Sequence, residues 1–303
     1  MFLKERKEPV ELLILRSLNN RMNLTANEQQ QYSNIKKGYE GEVHFDSVIT
    51  RLSSNILILN DLLLESNHSI FQIDSLLITQ DLIIPCEIKN HEGNYYYQNE
   101  NFYACTTNRE ITNPLHQLNR IETLLTHFLH KHGFKLPIKG YLHFIHPEFF
   151  LYQAPKNEKV IFYPQLNHFL KNIDRQLANL TKRHDQLANL LLDAHIKKSP
   201  ISTRLPSYQY DNLKKGIHCN VCHSFQMTIL NRKIICEQCG NLENTHAAVL
   251  RSVEELKLLF PNMKITVATI FDWCQFIVAK KVISKVLNKN YKISGFGQWA
   301  YYE

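Results

Sequence analysis

Residues 71–90 read FQIDSLLITQDLIIPCEIKN. Phe71 to Thr79 is dominated by apolar and β-branched residues, Gln80-Asp81 is a turn candidate, and Leu82 to Lys89 returns as a second apolar run, which predicts an antiparallel hairpin. Alternate residues of a strand share a face. Glu87 and Lys89 therefore point to one side, and pairing across the short turn brings Asp74 near them. Two carboxylates and a lysine so placed suit metal-assisted phosphodiester cleavage. Asp74 and Glu87 are hard oxygen ligands of the kind that Mg²⁺ or Mn²⁺ prefers, with a backbone carbonyl near Ile88 as a third. Lys89 then orients the attacking water and offsets charge in the transition state. A half-buried hairpin whose Asp, Glu and Lys simply face water is the alternative that the spacing leaves open.

Upstream stands Lys37-Gly38-Tyr39-Glu40-Gly41-Glu42; downstream, Glu87-Ile88-Lys89-Asn90 is followed by Gly93. With Gln72-Ile73-Asp74, this ordered set resembles the nuclease-related domain (NERD) family of the PD-(D/E)XK nuclease superfamily, over roughly the first half of the chain. The resemblance implies an α/β fold with a mixed sheet flanked by helices, a Mg²⁺-dependent active site and DNA as substrate. In the superfamily a glutamate on the first core helix can join the metal site, which makes Glu42 a further candidate beside the plainer reading of a solvent-facing helix residue. Gln117, after Asn113-Pro114, matches a helix glutamine of the family and is a candidate for touching substrate or supporting the site.

The second motif is Cys219-x-x-Cys222 and Cys236-x-x-Cys239, with thirteen residues between the pairs. Four thiolates at this spacing suit a structural, closed Zn²⁺ site, and the strand-like interior around an Asn231-Arg232 turn resembles a zinc ribbon. Cys86, Cys105 and Cys274 lack partners at such spacing and read as packed core thiols.

Around these motifs the chain divides into a nuclease-like domain (1–165), a helical connector (166–198), a linker (199–216), the zinc ribbon (217–243) and a helix-turn-helix-like tail (244–303). The apolar spacing predicts a helix over Glu8 to Met22, a second beginning near Gly38, a strand over Asn55 to Leu64 and a helix over Leu115 to His130. Tyr95 to Tyr103 reads as a continuation of the core sheet, and Tyr141 to Ile145 as a further strand of it. His127, His130, His132, His143 and His146 read as polar-face residues. Phe169 to Ile196 reads as one helical stretch, with Gln176-Leu177-Ala178-Asn179-Leu180 recurring as Gln186-Leu187-Ala188-Asn189-Leu190. In the tail, Thr266 is the expected cap of a helix through Phe276, and Lys280, Lys281, Lys285 and Lys289 edge the last helix, either for phosphate contacts or as a solvated face.

The 303 residues are 44% hydrophobic and 21% charged, as in a folded globular protein rather than a disordered chain. No apolar run is long enough to span a bilayer, and the first residues lack a signal-peptide pattern, so a cytoplasmic protein with reduced or metal-bound thiols is expected. The net charge is +7, with the basic excess in the last third, which suits a polyanionic partner. Together these readings predict a metal-dependent deoxyribonuclease with zinc-ribbon-assisted nucleic-acid binding. The alternatives are a catalytically silent DNA-binding protein on the same scaffold and a protein-interaction module. Oligomeric state is not legible in the sequence.

Overall fold

The computed structural model describes residues 1–175, 179–197 and 205–303. In chain order they form β1 (Phe2–Lys4), α1 (Val10–Arg21), α2 (Ala26–Ile49), β2 (Leu57–Ser66), β3 (Ser69–Ile78), β4 (Ile83–Lys89), β5 (Gly93–Gln98), β6 (Asn101–Ala104), β7 (Glu110–Ile111), α3 (Pro114–Lys131), β8 (Tyr141–Phe144), β9 (Phe149–Tyr152), β10 (Val160–Phe162), α4 (Leu166–Asp174) and α5 (Lys182–Asp193). There follow β11 (Met227–Leu230), β12 (Lys233–Cys236), β13 (Leu242–Asn244), α6 (Thr245–Leu259), α7 (Val267–Trp273), α8 (Lys280–Asn290), β14 (Ile293–Ser294) and β15 (Tyr301–Tyr302). Among the described residues no helix is long and apolar enough to cross a membrane. Two compact units result, one of Met1–Pro9 with Ser33–Thr203, the other of Val10–Tyr32 with Arg204–Glu303. The units therefore do not follow the linear division expected from the sequence.

The first unit is built on a mixed six-stranded sheet in the order β1-β2-β3-β4-β8-β10. β2, β3 and β4 pair antiparallel, whereas β4, β8 and β10 run parallel. Helices cover both faces: Ile121, Leu125 and Phe128 of α3 and Leu187 and Leu191 of α5 on one, Phe45 and Val48 of α2 and Phe169 and Leu170 of α4 on the other. Burial of both faces is why β3 and β4 are nearly continuous apolar runs. The alternation has one irregularity. Residues facing α3 and α5 run Leu57, Leu59, then Leu62, Leu64 on β2, and Phe71, Ile73, then Leu76, Ile78 on β3. The pattern slips by one residue at Asp61, whose φ is 53°, and across Asp74-Ser75 on the facing strand.

Several expectations are corrected. β5 and β6 do not continue the core sheet; they belong to a separate four-stranded sheet, β7-β6-β5-β9, because β4 already pairs on its free side with β8. Alternation then sends Tyr95, Tyr97 and Phe102 into their own core, and Tyr96 stacks on its cross-strand partner Tyr103 at 5.0 Å. The second helix begins at Ala26 rather than near Gly38, started by reciprocal bonds between Thr25 and Glu28. The stretch 169–196 is two helices, not one: α4 ends at Asp174, whose carboxylate is drawn to the backbone N–H groups of Ser53 and Ser54, and α5 starts at Lys182. Residues Gln176 to Ala178 of the first repeat copy lie outside the described residues, as do residue 198 of the expected connector and 199–204 of the expected linker. Cys105 is exposed, in the turn after β6, whereas Cys86 and Cys274 are buried.

His143 is no polar-face residue either. It is fully buried, with ring centroids 4.7 Å from Phe45 and 4.6 Å from Phe169, and among the described residues neither ring nitrogen has a hydrogen-bond partner. Burial pushes its pKa down to about 3. The unfolded chain takes up a proton near pH 6.5 and the folded one does not, so stability falls as pH drops from about 6.5 towards 3, by up to about 1.4 kcal/mol per pH unit. His143→Leu should flatten this dependence in urea titrations between pH 7 and 4 without loss at pH 7; an unchanged slope counts against the assignment.

The second unit holds the three-stranded antiparallel sheet β11-β12-β13 and helices α1, α6, α7 and α8 around one core. Arg21, 2% exposed, ends α1 inside it, bonding Glu255 at 2.6 and 2.9 Å and the carbonyls of Lys214 and Gly216, with its guanidinium 4.0 Å from the Trp273 ring centroid. Residues 205–216, expected to be linker, pack here: Leu213 is buried, and the Tyr208 and Tyr210 hydroxyls donate to the Leu259 carbonyl and the Asp272 carboxylate. Thr266 caps α7 as expected, but the helix stops at Trp273, because Gln275 and Phe276 both take positive φ.

Candidate active site and cysteine cluster

Within the first unit, one cleft of about 590 Å³ is lined by Glu42 of α2, Asp74 of β3, Glu87, Ile88 and Lys89 of β4, and Gln117 of α3. Each is placed by local sequence. The Asn113 side chain caps α3 by accepting the Leu115 N–H and Pro114 starts the helix, which sets Gln117 one turn in. Asp74 accepts the Ile88 N–H at 2.8 Å, tying the two strands where β3 slips out of alternation. Glu87 and Lys89 share a face of β4, and Lys89 Nζ lies 2.6 Å from Glu87 Oε1 and 3.3 Å from Gln117 Oε1.

The electrostatics are those of crowded carboxylates. Burial, then the Asp74 charge, raises Glu42 and Glu87 each to about 8, with Arg6 and Lys89 respectively pulling back. Asp74 is likewise raised, by burial before any other cause. Lys89 is held charged: burial opposes it, but Glu87 and Asp74 outweigh that and raise its pKa. Glu87 is fully buried; its Oε1 pairs with Lys89 Nζ at 2.6 Å, and among the described residues Oε2 has no hydrogen-bond partner.

Arg6 and Asp46 have no place in the sequence reading. Arg6, its side chain 3% exposed, donates to Glu42 at 2.6 Å, to Asp46 at 2.8 and 3.1 Å and to the Asp74 carbonyl at 2.8 Å, so one guanidinium ties α2 to β3 behind the site. No local signal marks it, since its partners lie 36 to 68 residues away. Gly41 explains itself better. A Cβ there would come within 2.4 Å of the Asn90 Cβ, and Asn90 is pinned by its bond to the Lys37 carbonyl at 2.8 Å. Gly41→Ala gains about 1 kcal/mol of helix propensity but must displace Asn90, so a net loss of about 1–2 kcal/mol is expected in urea melts. A gain in stability would mean that Asn90 yields freely.

In the second unit the Sγ atoms of Cys219, Cys222, Cys236 and Cys239 all lie within 4.8 Å of one another, with Cys219 to Cys239 at 3.7 Å and Cys222 to Cys236 at 3.5 Å. Among the described residues this is the only group of three or more His, Cys, Asp or Glu side chains so closely converged; Glu42, Asp74 and Glu87 share their cleft more loosely. Burial opposes ionisation of Cys219, yet the Cys222 and Val221 amides bring its thiol down to about 6. Two Cys-x-x-Cys turns on an antiparallel β-hairpin fit a zinc-ribbon-like module.

The first unit's motif set is matched independently. Residues 37–145 match the family NERD, nuclease-related domain. Glu42, Asp74, Glu87, Lys89 and Gln117 all lie inside that NERD segment, whereas Arg6 and the cysteine cluster lie outside it. No curated protein and no solved structure matches the chain. The NERD match suggests a nuclease-related function for this segment, and the mixed α/β fold is consistent with a nuclease core.

Proposed function

We propose that the protein is a metal-dependent nuclease that hydrolyses phosphodiester bonds of DNA, with the zinc-ribbon-like module assisting nucleic-acid binding. One observation carries the reading: Glu87 is a fully buried carboxylate beside the buried Asp74, with one oxygen 2.6 Å from Lys89 and the other without a hydrogen-bond partner among the described residues. A folded protein tolerates such a group where a cation completes it. The donor set fits Mg²⁺ or Mn²⁺: Asp74 and Glu87 would hold it with the Ile88 backbone, and Glu42 stands behind them, one oxygen engaged by Arg6. The cation, when bound, supplies Lewis-acid charge to the scissile phosphate. Lys89, held charged and steadied by Gln117, positions the attacking water and offsets developing negative charge. In the ribbon, four soft thiolates suit Zn²⁺ in a closed, structural role.

Cleavage of supercoiled plasmid and of labelled single-stranded DNA, with and without added Mg²⁺ or Mn²⁺, tests the reading. Metal-dependent nicking or shortening is expected. Binding of both substrates without cleavage of either would leave a silent DNA-binding scaffold, and absence of binding at low salt would leave an interaction module.

A further inference from the structure

The most exposed large apolar residues of the described chain are Phe296, 93% exposed, and Trp299, 73% exposed. Both stand at the tip of the β14–β15 hairpin, where Ile293 pairs with Tyr302 and Ser294 with Tyr301. The turn is built for that protrusion. Gly295 and Gly297 have φ of 82° and 59°, and a Cβ at Gly295 would meet the Trp299 carbonyl oxygen at 3.0 Å. The hairpin base is secured: the Tyr302 N–H donates to the Ile265 carbonyl at 2.8 Å, and its hydroxyl to Asn288 of α8 at 2.8 Å. Asn288 follows Lys281 by seven residues and Lys285 by three, so all three share one face of α8, while Ile283, Val286 and Leu287 turn into the core.

Exposed Lys281 and Lys285 lie on that face, exposed Lys289 follows in the last turn of α8, and exposed Lys292 lies between the helix and β14, which leads to the aromatic tip. Two acidic groups bond to this region, Glu303 to Ser294 and Glu254 to Tyr291. The unit as a whole carries 15 Lys and Arg against 9 Asp and Glu, a net +6 of the chain's +7. Two projecting rings at the end of a lysine row complement a polyanion that offers free π-faces. Duplex bases are stacked on each other and offer none, whereas unpaired bases do.

We infer that the α8 face and the β14–β15 tip form a binding surface for single-stranded nucleic acid, with the lysines on phosphates and Phe296 and Trp299 stacked on unpaired bases. This goes beyond the nuclease reading and does not require cleavage.

The chain has two tryptophans, and Trp273 is fully buried, so quenching of intrinsic fluorescence reports Trp299. Titration of the full chain with a thymidine oligonucleotide, without added divalent metal, should quench that signal. The double variant Phe296→Ala/Trp299→Ala should bind the oligonucleotide at least about 10-fold more weakly by anisotropy, with duplex affinity nearly unchanged. Trp299→Phe should retain most of the binding. Lys281→Ala/Lys285→Ala should weaken single-strand and duplex binding alike and flatten the salt dependence. The inference is overturned if single-strand affinity survives loss of both rings, or if the rings prove to govern binding to anionic lipid vesicles and not to the oligonucleotide. Because neither readout uses metal or cleavage, failure here is distinct from failure of the nuclease reading.

Discussion

Asp74→Asn should leave the chain folded, and in the absence of metal more stable than wild type, while lowering metal-dependent DNA cleavage roughly 10³-fold. Asn keeps an oxygen that can accept the Ile88 N–H, so the strand contact survives. What it removes is a buried negative charge that, after burial, is the largest influence raising both Glu42 and Glu87 to about 8. A carboxylate whose folded pKa lies above its unfolded value binds protons more readily in the fold. Stability of the metal-free protein therefore falls as pH rises from about 4.5 to 8, and the variant should gain most at the upper end of that window. Mg²⁺ should raise the Tm of wild type and not of the variant, since only a site that binds the ion gains from it. Lys89→Ala is the companion: it removes the positive charge beside Glu87 and should cost about 10²- to 10³-fold in rate with DNA affinity retained. Wild-type rates in both variants would remove these residues from the chemistry. A variant both less stable and inactive would show only a damaged fold. A site that trades stability for charge should give the opposite signs for the two quantities.

The hairpin of β3 and β4 was readable because its signals are local. A β-branched run, a two-residue turn and a second apolar run specify β3 and β4, and strand alternation alone puts Glu87 and Lys89 on one face. The cysteine spacing was readable for the same reason. Where reading failed, partners distant in sequence decided the outcome. Tyr95 to Tyr103 has strand character, but nothing within it says that β4 gives its free edge to β8, more than fifty residues later. Alternation also gave no warning of the slip at Asp61 and Asp74. Arg6 resembles any early basic residue until its four contacts with α2 and β3 are seen. His143 was misread because a lone histidine usually faces water, and only the packing of Phe45 and Phe169 shows otherwise. Helix α1 showed its apolar stripe plainly, but not that its Leu18 and Arg21 are buried in the core that also holds Trp273 and Cys236.

That core makes the second large expected effect a structural one. Cys236→Ser, or exhaustive chelation of the wild type, should unfold the ribbon and loosen the surrounding core, with zinc content falling from about one per chain. Cys219 and Cys236 are fully buried there among Met227, Ile234 and Val249, so their thiols are packing groups as well as candidate ligands. The three short strands that frame them, of four, four and three residues, bury too little surface to hold four converging sulfurs by themselves. A structural Zn²⁺ supplies folding free energy on the order of 10 kcal/mol, more than a small domain can replace. Trp273 lies in the same core, so its near-ultraviolet circular dichroism should collapse on chelation and return with added Zn²⁺. Cys105→Ser, at an exposed thiol outside the cluster, should change neither signal nor zinc content. Retention of the Trp273 signal and of the melting temperature in Cys236→Ser would mean that packing alone closes the ribbon. The four cysteines would then be a reduced thiol cluster without structural need of a metal.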